Sequence, residues 1–444
     1  MQNKSAYVLS LFRSLYALSE TDIELGYDAA GSAKVQIKRG RVDYFQGQTE
    51  FDPGQIIYKL WKGVKLPFLF DYADAEILEV TDGRATVNFD IIASSFFFLS
   101  GWQEYASNHT DSYGRFPYKE SLQAKCGLVG VPVVNYYFDI LKTAIEAVYP
   151  CKLLPNLWPE HRFVTCLTHD IDKCQSAWFE GGLMELRHGR FASTLKLILR
   201  RLSGRDAWFN FDEILEILRH HQARSTFYFL CRRGSERGVS NADYDITRKP
   251  FPEVLARIKM SGSDVGVHGS FGTHESAPEL RRDIDRLECP VQGNRFHFLA
   301  FDVRKSPTVL ELADLTHDTT LGFAEHYGFR NGICCPFYLY DVEKDHPTSV
   351  LEIPLNLMDT TLHHTNYLGL KPDQTDEIAA QMINEIKKFG GCFTVLWHNT
   401  HFSRYKYAGW QRAFVDVLAL CKEQGATFLT TNEVAAYFQK DALK

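Results

Sequence analysis

Asp170 and Asp172 close an apolar run in FVTCLTHDID (163–172), with one residue between them. Two carboxylates so placed can divide labour, one binding a metal ion while the other accepts a proton. VHGSFGTH (267–274) carries His268 after a second run, then Ser270 and another imidazole at His274. Neutral imidazole is a common donor to divalent metals, and two His with one Asp leave a coordination position open for chemistry. GNRFHFLAF (293–301) supplies Arg295 and His297, LEIPLNLMD (351–359) ends in Asp359, and TVLWHNTHF (394–402) presents His398. An imidazole titrating near neutrality suits proton donation to a leaving group. Taken singly each has a plain structural explanation: an Asx-turn for THDID, a hydrogen-bonded turn residue for His274, a satisfied core histidine for His398. Their shared position at the ends of apolar runs favours chemistry, because a charge there is costly unless it is paired, hydrogen-bonded or metal-bound.

Seven runs of strand length supply these ends: residues 163–170, 225–230, 264–270, 293–301, 351–359, 392–399 and 426–431. Helix-like stretches such as FDEILEILRHHQ, FPEVLARIKMSG and EIAAQMINEIKKFG lie between them. Strands separated by helices predict parallel β/α units, and seven predict a barrel over 160–444 whose C-terminal strand ends share one face. Residues 173–207 interrupt the pattern as a helical, basic insertion around LKLILRRLSGR. The first 155 residues read as a smaller α+β domain. It comprises an amphipathic helix over 4–18, strands in AKVQIKRG, AEILEV and TDGRATVNFD, a buried helix over 89–107 and another at Val133–Val148. The patch YPCKLLPNLWPEH (149–161), with three Pro, is the expected boundary.

A chain of 444 residues with 45% hydrophobic and 23% charged residues has a globular composition. Its 49 Lys and Arg against 55 Asp and Glu give a net charge of -6, which argues against a nucleic-acid partner. Aromatic residues at 14% suit a large core and flat surfaces on which sugar rings stack. Ten Cys without a CxxC pair read as reduced thiols. Arg13 breaks the first apolar run before it takes signal-peptide form, and the longest runs are about half the ~20 residues of a spanning helix. A cytoplasmic location without a transmembrane segment is the expectation. No dinucleotide fingerprint, phosphate loop or HExxH helix occurs.

The ordered series of motifs over about 160–440 resembles the NodB-like polysaccharide deacetylases of carbohydrate esterase family four. That resemblance implies a distorted (β/α) barrel and hydrolysis of N- or O-acetyl groups on sugars with a divalent metal, usually Zn2+. It makes Asp170 the base and Asp172 a metal ligand, with His268 opening the second motif. STFYFL resembles the family's Thr-Phe-Phe strand, and Arg295, with Phe298 three residues on, resembles the third motif, in which the arginine orients the base. HDTTLGF resembles the fourth-motif region through Asp318, and LWH (396–398) the closing Leu-x-His, which makes His398 the general acid. The family's second metal histidine stands four residues after the first, where this chain has Gly272. The third ligand is therefore His274, two positions late, or His297 from the neighbouring strand, unless the metal is weakly held or absent. DIIASSFFFLSGWQEY and DSYGRFP resemble an accessory domain that precedes such modules in bacterial proteins associated with surface polysaccharides. The implied activity is deacetylation of a bacterial polysaccharide or its precursor. The alternative, motivated by Gly272, is a catalytically decayed member that binds carbohydrate or acts as a scaffold. A serine hydrolase using Ser270 beside His268 ranks lower, because HGSFG is not the GxSxG elbow.

Overall fold

Strands that are apolar on both faces need cover on both faces, and parallel sheets flanked by helices provide it. The computed structural model describes the chain apart from residues 1, 20–22, 28–32, 42–43, 48, 72–74, 159–162, 205 and 442–444. Its second part contains β1 (Val164–Ile171), β2 (Ser225–Leu230), β3 (Asp264–Gly269), β4 (Gly293–Phe296) and β5 (His317–Asp318). These are followed by β6 (Phe337–Asp341), β7 (His346–Glu352), β8 (Leu357–Met358), β9 (Cys392–Leu396) and β10 (Thr427–Phe428). They form one sheet in the order β6-β7-β5-β4-β3-β2-β1-β9-β8, and β10 pairs with the start of β1. Every pairing is parallel except β6 with β7. The expected distorted (β/α) barrel is thus a curled parallel sheet with an antiparallel hairpin at one end. Register brings the chemistry level: His268 lies opposite Arg295, and Leu396 opposite Thr168.

LEIPLNLMD is not one strand. β7 ends at Glu352 and β8 begins at Leu357, because Pro354 has no N–H for a ladder. The insertion folds as two helices, Ala177–Arg187 and Phe191–Leu202, seated on a small cluster of Ala177, Leu197, Ala207, Trp208 and Tyr405.

In the first part, Leu25–Tyr27, Val35–Ile37, Arg84–Val87 and Leu78–Thr81 make a four-stranded sheet in that order. A hairpin of Ile57–Trp61 and Val64–Phe68, which the alternation did not single out, turns through Lys62 and Gly63, both at positive φ. The helix expected over 89–107 is broken. Asp90 caps Ile91–Leu99 by accepting the Ala93 N–H at 2.8 Å, and Gly101 at φ 66° restarts the chain as Trp102–Tyr105. Packing does not stop at the end of this part, for one apolar core holds Phe12, Phe96 and Val134 together with Phe337 and Val350. Glu104 and Arg330, both buried, form a two-pronged ion pair at 2.8 and 2.7 Å within it. Residues 159–161 of the turn-rich patch lie outside the described residues. Among the described residues no helix is long and apolar enough to cross a membrane.

Candidate active site

The ends of β1, β3, β4, β8 and β9 meet at a cleft of about 750 Å³, and Asp170, Asp172, His268, His297 and His398 line it together. Two commitments to backbone carbonyls decide what the imidazoles can do. His268 Nδ1 lies 2.8 Å from Arg295 O, and His297 Nε2 lies 3.0 Å from Ser240 O. A carbonyl only accepts, so both nitrogens carry the hydrogen. The other ring nitrogens, His268 Nε2 and His297 Nδ1, then face each other at 3.1 Å. Such a pair is held together either by a proton on His268 Nε2, donated to His297 Nδ1, or by a cation that both nitrogens bind. Asp172 Oδ1, buried and without a hydrogen-bond donor, lies 3.4 Å from His268 Nε2 and 3.8 Å from His297 Nδ1. These three atoms lie within 4.8 Å of one another, a two-imidazole, one-carboxylate set that could hold a divalent metal. The carbonyls supply the outer hydrogen bonds that orient such ligands.

The electrostatics of Asp172 and His297 suit ligands, a carboxylate and a neutral ring. Burial opposes ionisation of Asp172, but His297, His268 and His398 outweigh it and hold the carboxyl well below its usual range. Burial lowers His297 to about 4, which keeps its ring neutral. For His268 burial is overcome by Asp170 and Asp172, and its pKa is raised.

Asp170 stands beside this group. Its Oδ1 accepts from Arg295 Nη1 at 3.0 Å, and its Oδ2 lies 3.6 Å from His268 Nε2. Arg295 is fully buried, donating also to Thr168 Oγ1 at 2.7 Å and Thr319 O at 3.0 Å, so it aims the carboxylate rather than reaching substrate. Across the cleft, His398 Nε2 is 3.8 Å from Asp172 Oδ2. Asp359 Oδ1 accepts from His398 Nδ1 at 2.7 Å, while Oδ2 accepts the His398 N–H at 2.7 Å and lies 3.0 Å from His401 Nδ1. Both oxygens of Asp359 are met by N–H donors, so this second Asp-His-His group needs no cation. Burial disfavours the His398 cation, but Asp359 outweighs it and raises the pKa to about 10.

The sign of that shift gives a test. With Asp359 in place the imidazolium persists until the pH rises through about 10. Without the carboxylate it is lost above the ordinary ~6.5. Asp359→Asn, which keeps an acceptor for the backbone N–H, should move the alkaline limb of the pH-rate profile to lower pH. An unmoved limb would remove His398 from proton transfer.

His274 does not join the metal-ligand group. Gly272 at φ 92° turns the chain into the short helix Thr273–Glu275, and this sets the His274 ring against Phe271 and Phe296. Its backbone carbonyl accepts from Ser306 Oγ at 3.0 Å. His297, one residue beyond the β4 ladder, completes the group with Asp172 and His268 that could hold a metal ion. Nor is Ser270 activated by His268, whose two ring nitrogens face Arg295 O and His297. Asp318 is fully buried behind the site, bonded to Asn294 at 2.6 Å and to the Thr320 N–H at 2.9 Å. His169, next to the paired aspartates, is equally buried and bonded to Trp397 O at 2.8 Å.

The early part of the chain builds one wall of the cleft, through Asp111, Tyr113 and Arg115. Tyr113 stacks on Phe298 at 4.5 Å and 12°, while Arg115 donates to Phe298 O at 2.7 Å. Phe298 and Leu299 both hold positive φ, 60° and 55°, which non-glycine residues adopt only when their surroundings compel it. Sequence reasoning gave DSYGRFP no role in the site, since nothing local to it announces a partner 185 positions away at Phe298. Tyr113→Ala should raise KM for a substrate held in the cleft about tenfold, the scale of one stacked ring, with kcat nearly unchanged. A fall in kcat alone would make the wall structural.

Residues 12–150 match a protein family described as a family of unknown function (DUF7033). No curated protein matches the chain. Among solved structures, a Mycobacterium smegmatis protein assigned as a polysaccharide deacetylase is similar at 17% identity and TM-score 0.43, over 65% of this chain and 94% of that one. An allantoinase is similar at 15% and 0.41, over 64% and 92%. A carbohydrate esterase family four pseudoenzyme from Bacillus anthracis is similar at 14% and 0.31, over 66% and 71%. Likenesses at this level carry no residue roles across.

Proposed function

We propose that this protein is a metal-dependent hydrolase that removes an acetyl group from an N-acetylated or O-acetylated sugar of a bacterial polysaccharide or its precursor. One observation supports the reading: His268 Nε2, His297 Nδ1 and Asp172 Oδ1 converge as a set that could hold a cation, within reach of Asp170 and His398. The donor set suits Zn2+, which binds imidazole and carboxylate and keeps a position open in catalytic sites. A divalent ion there supplies Lewis acidity toward the acyl carbonyl and makes water more acidic.

The chain's own residues do the rest. Asp170, aimed by Arg295, accepts a proton from the attacking water. His398, held as imidazolium by Asp359, gives a proton to the departing sugar nitrogen or oxygen. Tyr113, Phe298, Tyr367 and Tyr407 offer ring surface to the sugar around the cleft. Purified protein should carry about one equivalent of divalent metal and release acetate from acetylated glucosamine oligomers. Protein that binds such oligomers without holding metal would favour the decayed, carbohydrate-binding alternative.

A further inference from the structure

The helices of the insertion present an apolar face that nothing in the described chain covers. On Phe191–Leu202 the residues Phe191, Leu195, Ile198, Leu199 and Leu202 form a single stripe at helical spacing, with Phe191 70% and Leu202 79% exposed. The neighbouring helix adds Phe179, Leu183 and Leu186, also exposed. A stripe of this kind normally faces the core; here Thr194 and Leu197 take that place, against Gly182 and Gly181.

Charge narrows the choice of occupant. At ~100° per residue, Lys196 and Arg201 border the stripe on either side, and Arg187 follows Leu186 at the end of the neighbouring helix. The second helix has no acidic residue. Both acids of the first are engaged: Glu180 with Lys173 at 2.5 Å and Lys406 at 2.8 Å, and buried Glu185 with Arg190 at 3.2 Å. A chain of net charge -6 has thus set basic residues on both borders of an exposed apolar stripe. Bulky apolar side chains flanked by Lys and Arg are the composition of helices that lie in a lipid interface.

We propose that this helical hairpin docks the protein on an anionic bilayer surface. The place of docking bears on the cleft, because Lys173, Glu180 and Trp208 line it and Glu180 adjoins exposed Phe179 in sequence. Resting on the hydrolase reading above, the acetylated sugar is then one carried by a membrane lipid.

Flotation of the full-length protein with vesicles tests this. Binding to phosphatidylglycerol–phosphatidylcholine vesicles should exceed binding to pure phosphatidylcholine at least tenfold, and should fall at ~1 M salt, where charges are screened within ~3 Å. Leu195→Ser with Leu199→Ser should weaken it about tenfold even at low salt. Lys196→Glu with Arg201→Glu should abolish the preference for anionic lipid. These side chains are exposed, and metal affinity equal to that of the parent verifies that the fold is kept. Absence of flotation, flotation indifferent to both double variants, or a stable dimer dispersed by the serine substitutions would each overturn docking. Vesicle binding requires no turnover, so an inactive protein that floats removes only the lipid-linked substrate, whereas an active one that does not float removes the docking.

Discussion

Asp170→Asn is expected to lower kcat for deacetylation by ~10²–10⁴, the range for loss of a positioned general base, while bound metal stays at the parent's level. Asn keeps the shape and an oxygen for Arg295 Nη1, so the 3.0 Å contact and the buried arginine survive. What is lost is the capacity to take a proton. The metal readout separates this from collapse of the site, because the proposed ligand on β1 is Asp172 and not Asp170. Turnover unchanged in this variant would sink the mechanism, and loss of metal along with turnover would show that Asp170 is itself a ligand.

The second large effect distinguishes two histidines. His297→Ala should weaken divalent-metal affinity by at least ~100-fold, the upper end of what even an outer hydrogen-bonding partner costs. His274→Ala should leave it within about twofold of the parent. The geometry behind this is the pairing of His297 Nδ1 with His268 Nε2 at 3.1 Å, against a His274 ring packed between phenylalanines. Isothermal titration of metal-stripped protein with Zn2+ measures both. Equal loss in the two variants, or loss confined to His274→Ala, would restore the ligand spacing that Gly272 denies.

Much of this site is legible in the residues alone. Asp170, Asp172, His268, Arg295, His297 and His398 all stand at or just beyond apolar runs, and strand ends in a parallel sheet share one edge whatever the loops do. Period and burial are local properties, so the β/α alternation and the gathering of those six side chains follow from pattern. The choice between His274 and His297 does not, because it depends on the φ of one glycine and on which ring nitrogen a distant carbonyl claims. Asp359 was visible as the last residue of an apolar run, yet its partnership with His398 arises only once β8 and β9 lie side by side. Arg115 and Tyr113 were further out of reach, since their contact with Phe298 crosses more than 180 residues and several strands. Composition and periodicity therefore settled which groups were available and along which edge, while tertiary packing settled which nitrogen, which carboxylate and which wall meet, since hydrogen-bond direction and ring stacking are properties of pairs.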